Sequence, residues 1–134
     1  MTSPSRNPDI QGELTLQTLA MPRDTNANGD IFGGWLVSQM DLAAGIIAKQ
    51  VTRGRSVTVA IENVTFLKPV SVGATVSCYS RVLKRGRTSL HIAVEVWTWH
   101  QLTTSDGVKV AEGLFVFVAI DDDGNPRALP PQNA

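Results

Sequence analysis

Apolar and polar positions keep two different rhythms along this chain. From about Gly33 to Gln50 apolar residues fall at 36, 40, 43, 44 and 47, the spacing of one helix face. Trp35 and Ile46 widen that stripe, so the spacing predicts a helix buried on most sides. Elsewhere the period is two. Leu14 and Leu16 alternate with Thr15 and Gln17 over Glu13–Leu19. Val57, Val59 and Ile61 alternate with Thr58, Ala60 and Glu62, and the run continues to Phe66 before Lys68-Pro69 breaks it. Further strands are expected over Ala74–Leu83, Arg87–His100 and Val108–Ile120, separated by turns at Arg85-Gly86 and Ser105-Asp106-Gly107. The short turns make the last three strands an antiparallel meander. The order is strand, helix, four strands: an α+β fold with one long helix against one sheet.

The ends differ from this middle. Residues 1–11, rich in Pro, Ser and Asn, are expected to be a disordered arm, and residues 131–134 a flexible tail, leaving one domain over 12–130. A length of 134 residues leaves no room for a second core. Twelve basic residues balance twelve acidic ones, which disfavours general nucleic-acid binding. The lone Cys78 excludes an intrachain disulfide and any Cys-rich zinc site. The longest apolar runs, Leu42–Ala48 and Leu114–Ile120, are too short for a bilayer span, and no signal-peptide core follows Met1. The expectation is a cytoplasmic protein with no membrane contact.

Chemistry concentrates at the helix and the loop before it. Asp41 is charged in mid-helix, and its neighbours at i±3 and i±4 are Val37, Ser38, Ala44 and Gly45, none of them a cation. Gly34, Ser38, Gly45 and Ala48 form a strip of small residues around it, with room for something to reach the carboxylate. Asp41 is therefore either a solvated acid at the stripe's edge or a partly buried base or nucleophile. In the loop Pro22–Asp30, Asn28 and Asp30 flank Gly29 and suit turn roles; for Asn26 a turn role and a site role stand equal. His91 and His100 lie on opposite faces of one strand and make no metal pair, and no nucleophile elbow or phosphate loop is present. The basic turns at Arg53-Gly-Arg55 and Lys84-Arg-Gly-Arg87 suit either solvent or a phosphate-bearing ligand.

The stretch Leu19-Ala-Met-Pro-Arg-Asp-Thr-Asn-Ala-Asn-Gly-Asp-Ile-Phe-Gly-Gly-Trp-Leu-Val-Ser-Gln-Met-Asp41 closely resembles the hotdog-fold acyl-CoA thioesterases of the YciA-like branch. Asn63-Val-Thr-Phe-Leu-Lys-Pro-Val, Ser71-Val-Gly and Pro126-Arg-Ala-Leu-Pro extend the resemblance over most of the chain. It implies a long central helix wrapped by an antiparallel sheet. It also implies a homodimer whose sheets join edge to edge, assembled as a trimer of dimers, and hydrolysis of acyl-CoA to a free acid and CoA with no cofactor or metal. Asp41 matches the family's base or nucleophile, and Asn26 the asparagine given across the dimer interface. Gly33 and Gly34 N–H groups at the helix start suit the oxyanion. Arg55, Lys84, Arg85 and Arg87 are candidates for the CoA phosphates. Two rival functions stay open. Hydratases of this fold resemble Asp-x-Asn-x-x-His, but Gly29 stands at the His position here; a non-catalytic acyl-CoA sensor would have no need of the Asn26/Asp41 pair.

Overall fold

The computed structural model describes residues 7–100 and 106–132. Strand β1 spans Glu13–Leu19, helix α1 Gly33–Thr52, and strands β2 to β5 span Ser56–Phe66, Thr75–Arg85, Ser89–Trp99 and Val108–Ala119. A single 3-10 turn, Pro22–Asp24, precedes the helix. The five strands make one antiparallel sheet in the order β1-β3-β4-β5-β2. The expected meander is therefore β3-β4-β5. β1 and β2, which precede it in the chain, close its two edges.

The helix lies across one face of this sheet. Its apolar stripe places Leu36, Met40, Ala43, Ala44, Ile47 and Ala48 in the core, against Leu90, Ile92, Val94, Val96 and Phe115 from the sheet. Alternation on β4 puts the even residues inward, as the period-two pattern requires. Alanines on the helix let it sit close to the strands. The expected burial on most sides does not extend to Leu42, which is 57% exposed, or to Ile46, which is also exposed. The helix ends where Arg53 turns left-handed at φ 55 and its N–H bonds to the Lys49 carbonyl.

The opposite face of the sheet has a smaller cluster, Ile10, Tyr79, Trp97 and Trp99. Residues 7–11 thus do not behave as the expected disordered arm, because Ile10 is buried and the Gln11 N–H donates to Glu95. The apolar rings on this face need a cover, and the N-terminal segment supplies it. Residues 1–6 lie outside the described residues, as do Ser105 of the last expected turn and residues 133–134 of the expected tail. Before that tail, Leu129 packs on the core, and its N–H donates to the Arg87 carbonyl. No described helix is long and apolar enough to cross a membrane.

Candidate active site

Asp41 sits half-buried on the helix flank facing β2. Its Oδ1 accepts a hydrogen bond of 2.7 Å from the Thr58 hydroxyl on β2. Among the described residues no cation pairs with it. Ser38, one turn earlier, donates instead to the Trp35 carbonyl at 2.6 Å, so its hydroxyl is committed to the helix. Thr58 escaped the sequence reading, although β2 periodicity placed it on alternate positions from Val57 and Val59; only the packing of β2 against α1 aims it at the carboxylate.

The loop before the helix is a small hairpin. Thr25 and Ile31 form an isolated bridge, and the Asn26 N–H donates to the Asp30 carbonyl at 2.7 Å. The Asn26 side chain organises this turn: its Oδ1 accepts from the N–H groups of Asn28 at 2.9 Å and Asp30 at 3.2 Å. What Asn26 has left is its Nδ2 group, two donors without a partner among the described residues. Asp24 fixes the loop's base. Its carboxylate accepts from the Met21 N–H, and its carbonyl accepts from the Phe32 N–H.

The helix begins at Gly33 with Phe32 as its cap residue, which offers no side-chain acceptor. The N–H groups of Gly33 and Gly34 have no acceptor among the described residues, as expected for a first turn without a capping side chain. A cavity of about 360 Å³ brings together Asn26, Asp30, Gly33, Phe66 and Lys68. Neither Asp41 nor Thr58 lines it. Gly33 and Asp41 are eight residues apart, which is about 12 Å along a helix axis. Donors to an oxyanion must come within about 3 Å of it. Within one chain the helix start and the Asp41 backbone are therefore about two helical turns apart.

The basic turns gather at the other end of the molecule, beyond the helix C-terminus. The Ile120 N–H bonds to the Arg55 carbonyl and the Ala119 N–H to the Thr88 carbonyl, which ties the two turns together. Arg85 donates to the Pro130 carbonyl at 2.6 Å and Arg55 to the Asp122 carbonyl at 3.3 Å. Lys84 and Arg87 are exposed, and their charged ends have no partner among the described residues. Cys78 is buried in the sheet, and burial pushes its thiol up to about 12, so it is no nucleophile at neutral pH. No group of His, Cys, Asp and Glu among the described residues has metal-binding geometry.

One long helix against a five-stranded antiparallel sheet of this order, with a carboxylate on the helix flank, defines the hotdog class. The thioesterase superfamily model matches residues 28–104, and the chain belongs to that family. It is 55% identical over 134 residues to the acyl-CoA thioester hydrolase YciA of Salmonella typhimurium, covering 98% of this chain and 99% of that one. Among solved structures, HI0827, described as a hexameric broad specificity acyl-coenzyme A thioesterase and crystallised with one aspartate changed to alanine, superposes with a TM-score of 0.86 at 50% identity. That match covers 92% of this chain and 90% of the other. An acyl-CoA hydrolase from Staphylococcus aureus, 28% identical, has been solved as an asparagine-to-alanine variant with coenzyme A (TM-score 0.80; 86% of this chain, 68% of the other). It has also been solved with an aspartate fifteen residues further on changed to alanine (TM-score 0.79; 86% and 70%).

Proposed function

We propose that this chain hydrolyses acyl-CoA to a carboxylic acid and CoA in a site shared by two copies. Asp41 comes from one copy; Asn26 and the Gly33 and Gly34 N–H groups come from the other. One observation carries the reading: within a single chain the donor-lined cavity at the helix start and the Thr58-held carboxylate are separate, incomplete halves. The asparagine and aspartate altered in the Staphylococcus aureus enzyme have the same fifteen-residue spacing as Asn26 and Asp41, which supports the pairing.

The free edge of β2 supports a two-copy assembly. Val57, Val59, Ile61 and Phe66 are exposed on this edge strand, as are Leu42 and Ile46 on the helix. A second β2 laid antiparallel on the first would satisfy the edge and cover apolar surface. A trimer of such dimers accords with the hexameric relative.

In this site Asp41 takes a proton from water as the water oxygen bonds to the thioester carbon. Negative charge collects on the carbonyl oxygen. The amide NH2 of Asn26 and the N–H groups of Gly33 and Gly34 donate to it, aided by the positive end of the helix dipole. Because Asn26 Oδ1 is held by its own loop, polarising the thioester suits it better than accepting from water. The C–S bond then breaks, and the thiolate takes the proton from Asp41. Direct attack by Asp41 to form an anhydride uses the same geometry. Lys84 and Arg87, exposed and with charged ends that have no partner among the described residues, are the proposed contacts for the CoA phosphates, with Arg55 and Arg85 in the same two turns.

The test is a panel of acyl-CoAs of different chain lengths with a thiol-trapping dye and no added metal. CoA release is expected. Tight binding across the panel without release would favour the sensor reading instead.

A further inference from the structure

We infer that Lys68 is an acylation site: its side-chain amine shares the cavity proposed to hold the thioester and takes the acyl group from it. The inference rests on the proposed thioesterase reading and adds a side reaction at the same site. Lys68 lines the cavity of about 360 Å³ together with Asn26 and Gly33, whose donors polarise the thioester carbonyl in that reading. A nucleophile beside those donors meets an activated carbon. Among the described residues that line the cavity, Lys68 carries the only amine, and no ion pair among the described residues includes it.

The chain carries that amine on a fixed base. The N–H groups of Leu67 and Lys68 both donate to the Val110 carbonyl on β5, at 2.7 and 3.3 Å. Two residues on, the Val70 carbonyl accepts from the Ile31 N–H at 3.1 Å, and the Val70 side chain is buried. Between these anchors Pro69 biases Lys68 to extended backbone. The segment is thus pinned to the sheet on one side and to the loop before the helix on the other. The other three lysines are placed differently. Lys109 is held between Glu95 at 3.2 Å and Glu112 at 2.7 Å, Lys84 sits in a basic turn at the far end, and Lys49 is exposed near the helix C-terminus. Lysine attacks as the free amine. Its nitrogen bonds to the carbonyl carbon, the C–S bond breaks, and CoA leaves as the thiolate. The thiolate takes the proton that the new amide nitrogen sheds, so no co-reactant is needed. Water attacks an amide far more slowly than a thioester, so the adduct persists and keeps its acyl group in the cavity.

The experiment exposes the wild-type protein to a short-chain acyl-CoA, replenished as it is consumed, and maps acylated lysines by mass spectrometry. Lys68 should be labelled about tenfold or more faster than Lys49, an exposed lysine outside the cavity, because proximity raises the effective thioester concentration at Lys68 alone. Excess free CoA competes for the site, so it should slow labelling of Lys68 and leave Lys49 unchanged. Activity measured after the acyl-CoA is removed should fall in step with Lys68 occupancy. Lys68→Arg keeps the positive charge and removes the amine, so its activity, whatever its initial rate, should not decline with exposure. Thermal melts and light scattering check that the variant folds and assembles. Equal labelling of Lys68 and Lys49, labelling of Lys68 that excess CoA does not slow, or an equal decline in Lys68→Arg would each overturn the inference and leave catalytic CoA release, and with it the hydrolase reading, intact. One CoA released per labelled Lys68 and no more would keep the inference and overturn the hydrolase reading. No CoA release and no preferred lysine would overturn both.

Discussion

At the scale of single residues, the proposed chemistry turns on Asp41. It carries a helix-propensity cost of roughly 0.5–0.7 kcal/mol relative to alanine and has no ion pair to offset it, only the Thr58 hydroxyl. Asn at the same position keeps an oxygen for Thr58 and loses the base. Asp41→Asn should therefore lower kcat roughly 10²–10⁴-fold with little change in KM. Its melting temperature should be unchanged or raised, since a half-buried charge without a cation has been removed. Steady-state kinetics and calorimetry on one preparation check both halves; a folded Asp41→Asn protein with full kcat would sink the assignment. Asn26 is a different case. Its alternatives, turn or site, turn out to be compatible: Oδ1 builds the turn, and Nδ2 is left over for a ligand.

At the scale of elements, the strands act through their edges and faces. β1 is reached by way of Gly12, whose φ of +97 is left-handed and whose added Cβ would lie 2.7 Å from the Ser80 carbonyl oxygen on β3. The chain must cross there from the outer face, where Ile10 is buried, into the ladder that pairs Glu13 with Ser80. Gly12→Ala should destabilise the fold by at least about 1–2 kcal/mol, the cost of a left-handed residue bearing a Cβ, before any clash is counted. Urea denaturation checks this, and an unchanged midpoint would show that the segment swings away at no cost. The helix start follows the reverse logic. It has no capping side chain, so its first N–H groups remain open to a ligand.

At the scale of the whole molecule, the proposed site needs two chains, and subunit mixing tests that directly. Asp41→Asn and Asn26→Ala proteins should each be weakly active alone. In a mixed dimer one site carries both lesions and the other carries neither. Random pairing makes half the dimers mixed, so co-refolded mixtures should regain up to about a quarter of wild-type activity, given two-fold symmetry. No recovery despite verified subunit exchange would place both residues within one chain. A fully active monomer in dilute solution would have the same meaning.

Much of this was legible in the linear sequence because it depends on local periodicity. The helix was expected from Gly33 to Gln50 and runs to Thr52, and every strand lies within two residues of its expected bounds. A side-chain period of 3.6 or 2 is written in the order of residues. That Asp41 lacks a cation at helical spacing is equally local. Tertiary structure decided what depends on contacts between distant segments. Strand order put β1 and β2 at the edges and left Val57, Val59 and Ile61 exposed beside a free ladder. Outer-face packing ordered residues 7–11, because Trp97, Trp99 and Tyr79 need a cover that no local pattern announces. Thr58, seventeen residues from Asp41 in the chain, meets it only because β2 returns along the helix flank. The helix itself sets the backbone positions of Gly33 and Asp41 about 12 Å apart along its axis, since a rigid helix fixes the spacing of what it carries.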